Sequence, residues 1–189
     1  MDTRYRPGAI KEAQAMLAAN PVYLDTETTG MNFNSEVIEI GIIDDQGQVL
    51  FDQLVRPRGK MDAAAARVHG ITTEMLKEAP SWEQVWPKAE AVLMGRRIGV
   101  YNVEFDLRLL KQSCKQAWLT WTLPEANFFD LMKIYARFYG DWDTFRRSYR
   151  FQSLEMAGRQ SGIRLPNSHR AVDDCNLTRA LLHYIAEGV

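Results

Sequence analysis

The chain has 189 residues, 46% hydrophobic and 25% charged, which is enough for one well-buried domain of ordinary globular composition. Its 23 basic and 24 acidic residues leave a net charge of -1, so bulk charge gives no sign of nucleic-acid binding and any basic surface must be local. No apolar run approaches a membrane span, the N-terminus is not a secretory signal, and Cys114 and Cys175 lack metal-type spacing; they read as free thiols, which places the chain in the cytoplasm.

No repeat, low-complexity tract or Gly/Ser linker divides the sequence, so residues 1–189 are read as a single domain. Gly8 to Ala19 has helical spacing through Ile10, Ala13 and Leu17 and is stopped by Pro21. Val22 to Asp25 reads as a strand that delivers Asp25 and Glu27 at its end. Residues i and i+2 of a strand point the same way, so both carboxylates can grip one hard cation. A strand running out into a polar turn closed by Gly30 accounts for the same residues equally well. Val37 to Ile43 and Val49 to Val55 follow as two strands joined at Asp45-Gln46-Gly47.

Beyond Arg56-Pro57 the pattern turns helical: Asp62 to Val68, a short turn after His69-Gly70-Ile71-Thr72, and a helix opened by a Ser81/Gln84 capping box. Pro87 inside that helix predicts a kink or a late start. Arg97 to Tyr101 is a strand and Val103 to Lys115 a helix with Phe105, Leu109 and Leu110 inward; helices follow at Leu131–Tyr139, Ser153–Ser161 and Ala171–Ala186. Strands first, then helices alternating with a strand, indicate an α/β layer with a mixed sheet.

Acids at the starts of two helices also stand out. Asp106 lies in the first turn of the helix after Asn102, and Asp173 and Asp174 open the last helix. Acids are favoured at helix N-termini, which by itself explains all three. His169 precedes the last helix in a loop-like stretch. Residues five apart on a helix are turned by about 140°, so simple phase pairs His169 with Asp173 unless the histidine lies on the loop.

Asp25-x-Glu27, Asn102-x-x-Phe105-Asp106 and His169-x-Ala171-x-x-Asp174 resemble the three motifs of the DnaQ-like DEDDh 3′→5′ exonucleases, in the same order. His69-Gly70-Ile71-Thr72 and Ala79-Pro80 match between them, and Leu24 to Asn32 is similar to the first motif of the polymerase III epsilon proofreading subunit. The likeness runs from residue 8 to 187. It implies an RNase H-like three-layer fold, a central mixed sheet of about five strands flanked by helices. It also implies that Asp174, not Asp173, is a metal ligand. Tyr101 departs from the family, many members having His there, so contacts to the terminal nucleotide are expected to differ.

What the resemblance implies is 3′→5′ hydrolysis of DNA, preferably single-stranded, releasing nucleoside 5′-monophosphates. Asp25, Glu27, Asp106 and Asp174 would hold two divalent cations, Mg²⁺ or Mn²⁺, with Asp25 as the bridge. His169 would be the general base, a role suited to an imidazole whose ordinary pKa is about 6.5. Thr28, Thr29, Gly30, Met31, His69 and Asn102 are candidate contacts to the terminal nucleotide, while Phe105 is assigned to the core. Arg146, Arg147 and Arg150, interleaved with aromatics in Tyr135–Phe151, are candidates for a strand-binding platform; a helix and loop with core aromatics is the plainer reading. RNA 3′-end trimming is the alternative within the family, and an inactive end-binding or scaffold module the alternative outside it. With only Gly188-Val189 after the last helix, no tethering tail is expected, which favours a free-standing nuclease over a dedicated proofreading subunit. The expected partner is a single-stranded 3′ end, more readily DNA than RNA. No membrane is involved, and a polymerase, another protein or a second copy stays open.

Overall fold

The computed structural model describes residues 1–166 and 168–188; Asn167, within the expected loop, and the terminal Val189 lie outside the described residues. A five-stranded mixed sheet organises the molecule. Strand β1 (Val22–Thr28) lies at its centre, antiparallel to β2 (Val37–Asp44), which is antiparallel to the outer β3 (Val49–Leu54). On its other side β1 runs parallel to β4 (Ile98–Val100), and β4 parallel to β5 (Phe128–Asp130). The first strand therefore continues three residues beyond the expected end at Asp25. The physical reason is β2, whose residues keep pairing with β1 as far as Thr28. β5 carries only three residues, too few for strand alternation to register in sequence.

Alternation along β1 and β2 sorts the core into two layers. Val22, Leu24, Ile40 and Ile42 pack with α4 (Trp82–Leu93) and α5 (Val103–Gln116), whereas Tyr23 and Ile43 pack with α1 (Arg6–Ala18), α6 (Leu131–Tyr139) and α8 (Ala171–Glu187). Burying apolar side chains on both faces fixes the sheet between helical layers, the expected three-layer arrangement. The Ser81 backbone N–H donates to Gln84 Oε1 at 3.0 Å, as the capping box requires. α4 starts ahead of Pro87 and runs through it, because that proline lies on the exposed face where water can serve the carbonyl its missing N–H leaves. The short helices α2 (Ala63–His69) and α3 (Thr73–Leu76) follow β3, with Gly70 at φ +68° ending α2 in the left-handed conformation that glycine adopts without cost.

The segment after α6 is a two-stranded hairpin, β6 (Trp142–Asp143) and β7 (Ser148–Tyr149), not helix and loop alone; α7 (Leu154–Gln160) follows it. Among the described residues no helix is long and apolar enough to cross a membrane.

Candidate active site

β1 outruns its parallel neighbour. It pairs with β4 only at Val22 and Tyr23, because the chain leaves β4 after Val100 to enter α5. The freed edge of β1 receives the first turn of α5, and Thr26 Oγ1 donates a hydrogen bond of 2.9 Å to Asp106 Oδ1. Asp106 is 5% exposed, so the role of simple helix-end charge does not describe it: it is turned inward against β1. Asp25 and Glu27 lie on the opposite face, in phase with Tyr23, toward α8.

α8 reaches them because β2 offers a glycine. Asp25 is paired with Gly41, and a Cβ at Gly41 would come within 2.8 Å of the Ala171 carbonyl carbon and 2.9 Å of the Val172 nitrogen. The bare backbone lets the start of α8 rest directly on the sheet, with Asp174 buried at 5% exposure. His169 is on the loop before α8, at φ +52°, and its Nδ1 is 3.9 Å from Asp174 Oδ2. Placement off the helix resolves the phase conflict in favour of Asp174. Asp173 instead accepts a 2.5 Å hydrogen bond from Ser168 Oγ. One ligand atom each from Glu27, His169 and Asp174 fall within 4.8 Å of one another.

The electrostatics are those of acids forced together. Burial raises the Asp25 carboxyl well above the usual range, and Asp106, Asp174, Glu27 and Glu39 raise it further. Burial, then Asp174 and the other acids, pushes Glu27 up to about 8. Burial takes Asp106 to about 7 despite the opposing hydrogen bond from Thr26. An all-carboxylate oxygen donor set that repels itself fits hard divalent cations, whose charge reverses the penalty. The sign for stability follows. Groups whose folded-state pKa is raised stabilise the fold below the ordinary carboxylate range and lose that contribution as pH climbs through about 7 and 8. In EDTA, melting is therefore expected to fall by roughly 5 °C or more between pH 5 and pH 8, as a few kcal/mol implies for a domain of this size. Millimolar Mg²⁺ should erase most of that slope. A flat metal-free profile by calorimetry would show that the acids do not repel one another.

The turn after β1 is internally satisfied. Thr28 Oγ1 donates to the Gly30 carbonyl at 2.7 Å, Thr29 Oγ1 accepts from the Glu36 N–H at 2.9 Å, and the Asp62 N–H donates to the Thr29 carbonyl at 2.8 Å. Both threonines are buried, so their side chains build the turn, while Met31 beside them is 78% exposed. A Cβ on Gly30 would sit 2.3 Å from Asp62 Oδ2, so a larger residue there would have to displace the Asp62 side chain at the start of α2. His69 is buried; its Nδ1 accepts from the Ile71 N–H at 3.0 Å, and burial lowers its pKa, opposed by the Thr28 backbone.

Gly30, Met31, Ala65, Val68, His69 and Phe105 line a largely apolar cleft of about 260 Å³ that opens beside Glu27. Phe105 is half-buried and packs against the core, as expected, but its other side borders this cleft, because its position on α5 faces the β1 turn as well as the interior. Asn102 is the half-buried N-cap of α5. The Tyr101 hydroxyl donates to the Gln152 carbonyl at 2.9 Å and is committed to holding the approach to α7. Arg146 and Arg147 are exposed at the β6–β7 turn beside Phe145, which is 95% exposed, and Arg150 pairs with Asp143 at 3.3 Å. The aromatics of the segment divide, with Tyr135 and Phe138 in the core.

Sequence reasoning passed over Thr26, Gly41, Glu39 and Arg170. Gly41 and Glu39 were visible in principle, as a glycine and an acid inside the apolar run Val37–Ile43. Nothing local marks Thr26 or Arg170.

Comparison with known proteins gives the family. The exonuclease family model RNase_T matches residues 22–182. The chain is 30% identical to the uncharacterized exonuclease CP81 of Escherichia phage 186, covering 94% of both chains. It is 29% identical to DNA polymerase III PolC-type of Caldanaerobacter subterraneus over 88% of this chain but only 12% of that polymerase. A solved structure of exonuclease X in complex with 5′ overhanging duplex DNA superposes with a TM-score of 0.65 at 26% identity, covering 88% of this chain and 90% of that one. With the model spanning most of the sequence and the five-stranded sheet matching an exonuclease fold, the chain belongs to the RNase T/DnaQ-like family of DEDD exonucleases, hydrolases that cut phosphodiester bonds in the 3′→5′ direction.

Proposed function

We propose that this chain removes nucleotides one at a time from DNA 3′ ends, single-stranded ends preferred, releasing nucleoside 5′-monophosphates. The observation that carries the reading is the convergence of Asp25 and Glu27 from β1, Asp106 from α5 and Asp174 from α8 at one end of the sheet, with His169 on their solvent side. Asp25 lies within the field of all the others, which suits it to be shared between two cations. Glu27 and Asp174 would complete one ion's shell and Asp106 would help hold the second. Bound there, a divalent pair would supply charge neutralisation at the attacking and leaving oxygens.

The chain's own residues do the rest. The cleft between Met31 and Phe105 takes the terminal nucleoside and sets its scissile phosphate against the acids. His169 accepts the proton from the attacking water as the oxygen–phosphorus bond forms. The bond from phosphorus to the penultimate 3′ oxygen breaks, that oxygen takes a proton from solvent to become the new 3′ hydroxyl, and the phosphate stays on the 5′ oxygen of the released nucleotide. DNA is favoured over RNA because the similar exonuclease X was solved on duplex DNA and the PolC-type relatives are DNA polymerases.

Incubation of 5′-labelled single-stranded DNA, duplex DNA and RNA with Mg²⁺ tests the proposal. Laddering from the 3′ end, fastest on single-stranded DNA and abolished by EDTA, is the expected result. Laddering that persists in EDTA would sink the two-cation reading, and faster RNA trimming would move the substrate class.

A further inference from the structure

Among the described residues, Glu39 is a buried acid that neither the motifs nor the proposed chemistry uses. It sits in β2 directly across from Glu27, is 1% exposed, and spends its oxygens away from the other acids. Its Oε1 and Oε2 accept from Arg170 Nε at 2.9 and 3.1 Å, a second guanidinium nitrogen also reaches Oε1, and Oε2 accepts from the Ala171 N–H at 2.9 Å. One core carboxylate thus ties β2 to the residue after His169 and to the first turn of α8. The preceding residue is tied as well, through Ser168 Oγ and Asp173. Between these tethers His169 holds a left-handed backbone, which a side chain with a Cβ adopts reluctantly. Its imidazole is nonetheless 46% exposed, so burial does little to fix it.

We propose that Glu39 and Arg170 form a clamp that positions His169, holding its backbone in the left-handed conformation that turns the imidazole toward Asp174 and Glu27. The clamp rests on the exonuclease reading of the site and adds to it a pair of positioning residues that never touch the substrate. A charge-assisted, two-pronged guanidinium–carboxylate pair is among the strong hydrogen-bonded contacts and fixes geometry as well as charge. Its anchor lies in β2, a strand paired on both sides within the packed sheet, so its rigidity passes across a single peptide to the base. Asp52 and Asp173 also face Arg170, so its charge is balanced on the outer side. With both oxygens engaged, Glu39 does not serve as a further cation ligand, although it lies beside Glu27.

The test combines a double-mutant cycle with an activity-free readout. Arg170→Ala, Arg170→Lys and Glu39→Gln are made in the parent and in His169→Ala, and single-turnover cleavage of labelled single-stranded DNA is followed at saturating Mg²⁺. Arg170→Ala should slow cleavage about 10- to 100-fold with KM little changed, since small misplacement of a catalytic group costs on that scale. Arg170→Lys should recover part of the rate, and neither Arg170 change should slow His169→Ala further. Hydrogen–deuterium exchange of the metal-free protein should rise at residues 168–174 in Arg170→Ala and stay unchanged in β1. Losses that multiply with His169→Ala, or exchange that does not rise, would overturn the clamp. If Arg170→Ala does not fold, the milder Arg170→Lys and Glu39→Gln carry the same cycle. Parent protein without nuclease activity would overturn the exonuclease reading instead, and the exchange comparison would still decide the clamp.

Discussion

Asp25→Asn is expected to lower turnover at least about a thousandfold, equivalent to roughly 4 kcal/mol of barrier, while raising the melting temperature of the metal-free protein. Both effects come from one position. Asp25 lies in β1 within the field of Asp106 from α5 and Asp174 from α8, and its carboxyl is raised by burial and by four neighbouring acids. Keeping that group beside them at pH 8 therefore costs folding free energy, which a neutral isostere removes. In EDTA at pH 8 the variant should melt about 5 °C above the parent, and Mg²⁺ should close or invert the gap because only the parent gains the full cation affinity. Activity assays and paired melting curves with and without Mg²⁺ check this. A variant that keeps its rate, or loses it without any metal-free stabilisation, would mean that Asp25 is not the shared ligand. The opposed signs separate this outcome from ordinary damage, which lowers both quantities.

How far the sequence could be read depended on the range of the forces involved. Asp25, Glu27, Asp106, Asp174 and His169 stood out because each sits at a fixed offset within its own short motif. The helices Trp82–Leu93 and Val103–Gln116 were legible through capping and apolar phase, both local properties. What escaped was set by partners distant in the chain. β1 extends to Thr28 because β2 pairs with it there, and no residue within β1 states that. Gly41 matters through its contact with Ala171, Thr26 through its hydrogen bond to Asp106, and Glu39 through Arg170, which is 131 positions away. Phe105 followed the inward phase of α5, but that phase does not reveal that the interior opens into a cleft at the β1 turn. The β6–β7 hairpin was missed because two-residue strands carry no alternation to read.

His169→Ala should reduce single-turnover cleavage at pH 7 by about 10²- to 10⁴-fold, the range for loss of a positioned general base. The ion cluster leaves a second role for this residue, since its nitrogen is near enough to Glu27 and Asp174 to act as a ligand itself. The two roles predict different binding. As a base, His169 contributes little to cation affinity, because Asp25, Glu27, Asp106 and Asp174 remain in place; Mn²⁺ titration of the variant should match the parent within about threefold. As a ligand, its loss should weaken binding about tenfold or more, the scale on which metal sites respond to a disturbed shell. The geometry favours the base. At 46% exposure and 3.9 Å from Asp174 Oδ2, the imidazole sits at the rim where water enters, whereas Asp106 and Asp174 are each 5% exposed. Added imidazole should then restore part of the rate to His169→Ala without changing Mn²⁺ affinity, because a diffusible base can enter the space at the rim. No rescue together with weakened Mn²⁺ binding would reassign His169 to the cation shell, and its left-handed loop would then be shaping a ligand sphere instead of aiming a base.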